Sequence, residues 1–328
     1  MSAHAPLFLA VAGPTASGKT DLSLALAERV RVEVISMDSR QVYRDMDVGT
    51  DKVGAAARAA VQHHGLDLVA PDERYSAGRF ARDARRWVAE IRAHDALPLL
   101  VGGTGFFLRA VTDPVFAEPP LDPERLETLR AYLGAQDRDR LERWVRRLDP
   151  ARAKLAAEGG PQRLGRTIEV ALLSGRPLSW WHRARPAEEA GLPGVIVVLD
   201  LPRDEMDRRI DERVTGMVER GLVDEVRRLI AAGYGEDAPG LTGTGYREIA
   251  AHLRGEATLE EALEGIRRNT RKYARRQLTW LRHQLPESAV RIDAMLPVRQ
   301  QADAALAAYE AAGGRVPWRE AVQHEVGT

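Results

Sequence analysis

A glycine-framed turn, set directly after the first apolar run, constrains this chain more than any other feature. Leu7 to Ala12 is uninterrupted apolar sequence, and Gly13-Pro14-Thr15-Ala16-Ser17-Gly18-Lys19-Thr20 follows it. The spacing is Gly, four residues, then Gly-Lys-Thr, where a strand hands over to a helix. Such a turn aims backbone N–H groups and a helix N-terminus at bound phosphate. Gly13 and Gly18 permit the tight turn, Lys19 reaches the outer phosphates, and the Thr20 hydroxyl suits Mg2+. Gly13 to Thr20 therefore reads as a cradle for a di- or triphosphate. The motif alone leaves open which phosphate compound binds and whether a phosphoryl group moves.

The segments around the turn read as α/β. Leu7 to Ala12, Val32 to Ser36, Leu97 to Val101 and Val195 to Leu199 are buried-strand candidates. Helices are expected over Asp21 to Val30 and Phe80 to Ala93, with Leu22, Leu26 and Val30 spaced to face a sheet. The pattern changes after Asp113-Pro114. Glu118-Pro119-Pro120 breaks the chain, Glu124 to Leu148 looks helical throughout, and a further helix is expected over Gln162 to Leu173. This is a helical insertion. Later helices are expected over Asp204 to Gly216, Leu222 to Ala232 and Ala262 to His283, and the Ala-rich stretch after Pro297 reads as peripheral. The expected division is 1–117 and 191–300 as core, 118–190 as insertion and 301–328 as tail.

The 328 residues allow about two domains and a real core. The chain has no cysteine, which excludes disulfides, thiol catalysis and Cys-ligated zinc. Its first apolar run is too short to span a bilayer, and no basic patch precedes it, so a cytoplasmic location is expected. Lysine and arginine number 48, as do aspartate and glutamate, so any polyanion must be met by a local patch.

Open α/β sheets place chemistry beyond the carboxyl ends of their strands. Two further polar clusters occupy that position. Asp38-Ser39-Arg40-Gln41 follows the second strand, and Asp38 is read as a metal ligand, a proton acceptor or simply a cap. Gly102-Gly103-Thr104-Gly105 follows the third, where Thr104 is either a hydrogen-bond donor to a ligand or part of a turn. Gly49-Thr50-Asp51-Lys52 is a loop with a structural reading at least as good as a functional one. His63-His64 lacks a spaced third ligand, and a capping or solvated role fits better than metal. Arg213 is expected near the end of a helix, as a clamp for a leaving phosphate.

Between Glu264 and His283 positive charge is concentrated: Arg267, Arg268, Arg271, Lys272, Arg275, Arg276 and Arg282. Several share one helical face. Such a face suits RNA phosphates, with aromatics for unpaired bases. A salt-bridged helix paired with Asp204, Glu205, Asp207, Asp211 and Glu212 is the alternative. Arg163 and Arg166 form a second basic pair.

Together these segments resemble the tRNA dimethylallyltransferase, or tRNA isopentenyltransferase, family. The resemblance lies in GPTASGKT from Gly13, DSRQVY from Asp38, DVGTDK from Asp47 and the stretch His63 to Phe80. It continues through GGTGFF from Gly102, RVTGMVERGLVDEV from Arg213, GTGYREI from Gly243 and KYARRQLTWLR from Lys272. It implies a P-loop NTPase-like parallel sheet core with an inserted all-helical domain. It implies transfer of a dimethylallyl group from dimethylallyl diphosphate to the N6 amine of the adenine 3′ to the anticodon, in tRNAs reading codons that begin with U. By the same resemblance, Gly13, Pro14, Thr15, Ala16, Ser17, Gly18, Lys19 and Thr20 hold the diphosphate, with Mg2+ on Thr20. Asp38 is then the general base, Thr104 bonds the bridging oxygen of the donor, and Arg213 lies near the diphosphate. Ser39, Gln41, Arg163, Arg166, Arg271, Lys272, Arg275 and Arg276 engage the tRNA, and the insertion grips the anticodon arm of a monomeric enzyme.

Phe107, Thr244, Gly165 and Thr167 depart from the family pattern without removing a proposed catalytic group. An ATP-dependent nucleotide or small-molecule kinase would use the same loop, and a prenyltransferase acting on AMP would share the donor. A non-catalytic RNA-binding module with a vestigial loop is a further alternative. The transferase reading requires the loop and Asp38 to face each other across one crevice.

Overall fold

The five residues Phe8 to Ala12 are buried along their whole length. Burial on both faces is the condition of a strand in the middle of a parallel sheet. The computed structural model describes residues 5–113, 119–184 and 190–319. In chain order the first elements are β1 (Phe8–Ala12), α1 (Lys19–Arg29), β2 (Val32–Ser36), α2 (Ala55–Ala60), β3 (His63–His64), α3 (Ala77–Ala93), β4 (Leu97–Gly102) and α4 (Gly105–Thr112). Next come α5 (Pro123–Gly134), α6 (Arg138–Leu148), α7 (Ala153–Glu158), α8 (Gly160–Ser174) and α9 (Leu178–Ala184). The chain returns through β5 (Gly194–Asp200), α10 (Arg203–Glu219), α11 (Leu222–Ala231), α12 (Tyr246–Leu253), α13 (Leu259–His283), β6 (Val290–Asp293) and α14 (Val298–Ala311).

Six strands form one sheet in the order β3-β2-β4-β1-β5-β6. Every pairing is parallel. Ala12 lies beside Gly102 and Val198, and Ser36 beside Val101, so the carboxyl ends of β1, β2 and β4 come level. Parallel neighbours require crossovers, and helices supply them. In α3 the buried residues Phe80, Ala84, Trp87, Val88 and Ile91 recur at helical spacing, and the Ser76 hydroxyl caps the start by accepting from Arg79 N at 3.1 Å. In α10 Met206, Ile210, Val214 and Met217 do the same. Phe107 is stacked on Phe80 at 4.2 Å and meets the Tyr75 ring edge-on, an apolar site in which a hydroxyl is not needed.

The chain divides into two compact units, Pro114–Ala190 and the remainder. The described part of the first is helical and has its own core of Leu133, Leu141, Val145, Ala156, Leu164 and Ile168. The helix expected over Glu124 to Leu148 is instead two. Asp137 interrupts it by accepting from Arg140 N at 2.7 Å, starting a new helix as its N-cap. Gly165 has open space where a Cβ would stand, and the Thr167 hydroxyl bonds back to Arg163 O at 2.8 Å.

The Ala-rich stretch after Pro297 is not peripheral up to Ala311. It forms α14, which buries Ala302, Ala305, Leu306 and Tyr309, and the Tyr309 hydroxyl donates to Pro6 O at 3.1 Å. Small side chains there let a helix lie close against α1 and β6. His63-His64 forms the short edge strand β3, with Nε2 of His64 2.7 Å from Glu33 Oε2. Among the described residues, no helix is long and apolar enough to cross a membrane.

Candidate active site

Three loops leave the carboxyl ends of β1, β2 and β4, and they enclose one cavity. Its lining includes Thr15, Lys19, Thr20, Asp38, Gly103 and Arg213. The turn after β1 needs left-handed backbone at Ala16, φ 65°, and at Gly18, φ 86°. Helix α1 starts at the next residue, Lys19, so its N-terminus opens on the cavity. The Lys19 ammonium folds back to donate to Pro14 O at 2.6 Å. Burial, with the neighbouring Arg213 cation, lowers its pKa to about 8 against the pull of Asp38 and Asp51. The cations Lys19 and Arg213 share the cavity lining with the carboxylates Asp38 and Asp51. Ser17 Oγ is buried with no hydrogen-bond partner.

The second loop is fastened to the third. Gly102 passes so close to Met37 that a Cβ would lie 2.1 Å from Met37 O, which only glycine tolerates. Thr104 N donates to Met37 O at 3.3 Å, and Ser39 N donates to Thr104 Oγ1 at 3.1 Å. Asp38 accepts from Arg40 N at 2.7 Å through Oδ1 and lines the cavity with Lys19. The Asx-turn holds the carboxylate and leaves Oδ2 for another partner. The crevice required of the loop and Asp38 is therefore present.

Arg213 reaches the cavity from the middle of α10, not from a helix end as the sequence suggests. Its Nε lies 3.4 Å from Asp51 Oδ2, while Arg220 takes Asp51 Oδ1 at 2.7 Å. Asp51 is thus the anchor of the Arg213 side chain, and the sequence did not distinguish it from its loop. Lys52 in that loop is structural, its ammonium donating to Tyr43 O at 2.6 Å and to Asp47 and Asp67. Gln41 is also engaged internally: it accepts from the Ser36 hydroxyl at 2.7 Å and donates to Thr50 O and Asp51 O, both at 3.2 Å.

Glu225 explains why distant motif pieces occur together. Its buried carboxylate accepts from Asp47 N at 2.8 Å, Val48 N at 2.7 Å, Gly49 N at 2.9 Å and the Tyr246 hydroxyl at 2.7 Å. Gly49 must be glycine, since a Cβ would lie 2.5 Å from the Tyr246 ring. Burial, then the Glu225 charge, hold the Tyr246 pKa well above its ordinary value.

Helix α13 closes the cavity with one face and shows cations on another. Tyr273 meets the Thr104 hydroxyl, and burial with the nearby Asp38 charge pushes its pKa up to about 12. Gln277 lines the cavity one turn later. On the other face Lys272, Arg275 and Arg276 are exposed, and the Arg276 guanidinium lies over the Tyr273 ring at 5.8 Å. Not every cation there is free. Arg271 is paired with Asp211, at 2.6 Å from Oδ2, and Arg275 with Asp207 at 3.3 Å. The salt-bridge alternative holds for these two. Arg163 and Arg166 stand on α8 of the helical unit, where Arg163 is exposed and Arg166 contacts Glu169 Oε2 at 3.5 Å.

Sheet and loops define an α/β protein in which Lys19, Asp38 and Arg213 line one cavity at the carboxyl edge. An IPP transferase family model matches residues 41–284, and an isopentenyl transferase model matches residues 7–66. A tRNA dimethylallyltransferase of Methylibium petroleiphilum is 44% identical over 290 residues, covering 84% of this chain and 86% of that one. One of Syntrophobacter fumaroxidans is 41% identical over 275 residues, covering 83% and 80%. Among solved structures, a tRNA isopentenylpyrophosphate transferase from Bacillus halodurans superposes with a TM-score of 0.67 at 33% identity, over 93% of this chain and 97% of that one. The chain belongs to the tRNA dimethylallyltransferase, or IPP transferase, family.

Proposed function

We propose that this protein transfers a dimethylallyl group from dimethylallyl diphosphate to the N6 amine of the adenine 3′ to the anticodon of tRNAs reading codons that begin with U. The observation that carries the reading is that the Gly13–Thr20 loop and Asp38 line the same cavity. In this reading the loop N–H groups and Lys19 hold the diphosphate, as helix N-termini hold anions. Arg213, steadied by Asp51, faces the charge that grows on the leaving group. The core is then used as P-loop proteins use theirs, with the substrate anion in the loop after β1.

An exocyclic adenine amine is a weak nucleophile because its lone pair is delocalised into the ring. Asp38 accepts a proton from N6 as the N6–C1 bond forms and the C1–O bond to diphosphate breaks. Thr104 follows Gly103 of the cavity lining, and in this reading its hydroxyl would donate to the oxygen that bridged carbon and phosphorus. The donor set also fits a hard cation. Thr20 lines the cavity with a hydroxyl oxygen to offer, and among the described residues no three His, Asp or Glu side chains cluster as a metal cage. Mg2+ needs few protein ligands when phosphate and water complete its shell. The Thr20 hydroxyl would hold it, and it would draw charge from the departing diphosphate.

The exposed Lys272 and Arg276, beside Tyr273, would meet RNA backbone near the crevice, and the target base must leave its stack to enter. Arg271 and Arg275 would contribute through their flanks, since carboxylates of α10 already engage them. Arg163 and Arg166 would give the helical unit an RNA contact on α8. The protein would act as a cytoplasmic monomer. Incubation with labelled dimethylallyl diphosphate and unmodified tRNA tests the reading: label should enter the RNA without ATP. Phosphoryl transfer from ATP to a small acceptor, with no label in RNA, would replace it with the kinase reading.

A further inference from the structure

Gln277 is neither a diphosphate ligand nor an RNA contact in the scheme above, yet it touches both halves of the donor site. It stands on α13, only 7% exposed. Its Oε1 accepts from Thr15 N in the phosphate loop at 2.9 Å, and its Nε2 donates to Gly103 O in the turn after β4 at 2.9 Å. We infer that Gln277 is a positioning residue for prenyl transfer, a clasp that fixes the phosphate loop and the Gly103–Thr104 turn at the separation the donor needs. The inference rests on the loop being the diphosphate site.

Strand pairing between β1 and β4 ends with Ala12 beside Gly102. Beyond that pair the two loops depend on other contacts to keep their spacing. A primary amide is the side chain that offers an acceptor and a donor at one end, so it can join an N–H of one loop to a carbonyl of the other. Gly103 is shaped for this clasp, because a Cβ there would lie 2.2 Å from Gln277 Nε2 and 3.0 Å from Gly13 O. The two ends also matter chemically. Thr15 belongs to the cradle, and Gly103 immediately precedes Thr104. One side chain therefore constrains the loop proposed to grip the diphosphate and the turn that carries Thr104. Tyr273, four residues earlier on the same helix face, meets Thr104 directly and supports the same turn.

The test is steady-state kinetics of Gln277→Met, which keeps the length and removes both hydrogen bonds. The kcat/KM for dimethylallyl diphosphate should fall about 10-fold to 100-fold, with both kcat and KM affected, because displacement of reacting groups by about 1 Å is worth that much. The tRNA dissociation constant should stay near wild type, which a general packing defect would not allow, while the thermal midpoint falls slightly as Thr15 N and Gly103 O lose their partner. If kcat and KM for the donor stay within about twofold of wild type, the clasp is not needed and the inference falls. Should Gln277→Met not fold, Gly103→Ala pushes the amide away from the other end. It should show the same donor-side loss, and wild-type kinetics would overturn the inference. Lys19→Ala separates this from the underlying reading. If it leaves the donor KM unchanged, the loop is not the donor site. If it raises that KM while Gln277→Met is silent, only the clasp fails.

Discussion

At the residue scale, Lys19 and Asp38 line one cavity. Lys19 is held at a pKa of about 8 in the free site, below its ordinary 10.5, by burial and by Arg213. It is therefore cationic below pH 8 and loses its proton above it. The kcat/KM for the prenyl donor, which reports the free enzyme, should fall with an apparent pKa near 8. Lys19→Arg should remove that fall, because a guanidinium stays charged. A flat profile to pH 10 in the wild type would mean that Lys19 does not meet the diphosphate as a cation. The sequence made Lys19 and Asp38 legible as candidates, because loop spacing and a position after a strand are local signals. Asp51 was not legible as the anchor of Arg213, since that pairing joins a loop to a helix far along the chain.

At the element scale, Glu225 on α11 carries the 47–52 loop. Three backbone N–H groups and the Tyr246 hydroxyl converge on its carboxylate. Glu225→Ala should lower stability by about 3 kcal/mol in urea unfolding, since buried donors lose a charged acceptor. Tyr246→Phe should cost only about 1 kcal/mol, one hydrogen bond. Equal losses for the two would show that the three backbone N–H bonds contribute nothing beyond the Tyr246 hydroxyl bond. Long apolar runs made β1, β2, β4 and β5 readable. The two-residue β3 and the alternating Val-Arg-Ile-Asp of β6 were not, because short edge strands leave too little pattern. The break before α6 was hidden for a related reason: Asp137 caps a helix, and in a charged stretch a cap looks like any surface residue.

At the scale of the whole molecule, the ends of the inserted unit leave the core at adjoining points. Leu192 N donates to Val111 O at 2.9 Å, and a Cβ on Gly191 would lie 1.8 Å from Thr112 O. Joining Asp113 to Gly191 through a short glycine linker should therefore leave the sheet folded. Diphosphate binding, measured by calorimetry, should stay within about threefold, while tRNA affinity should fall about 100-fold or more as phosphate contacts are lost. Unchanged tRNA affinity would confine RNA recognition to the core. The chemistry itself is decided by a single-turnover experiment with saturating labelled donor and tRNA, comparing wild type with Asp38→Asn. The account predicts a rate lowered about 100-fold to 10,000-fold, the span of general base catalysis, with tRNA affinity nearly unchanged. A variant that transfers the prenyl group at close to the wild-type rate would contradict it.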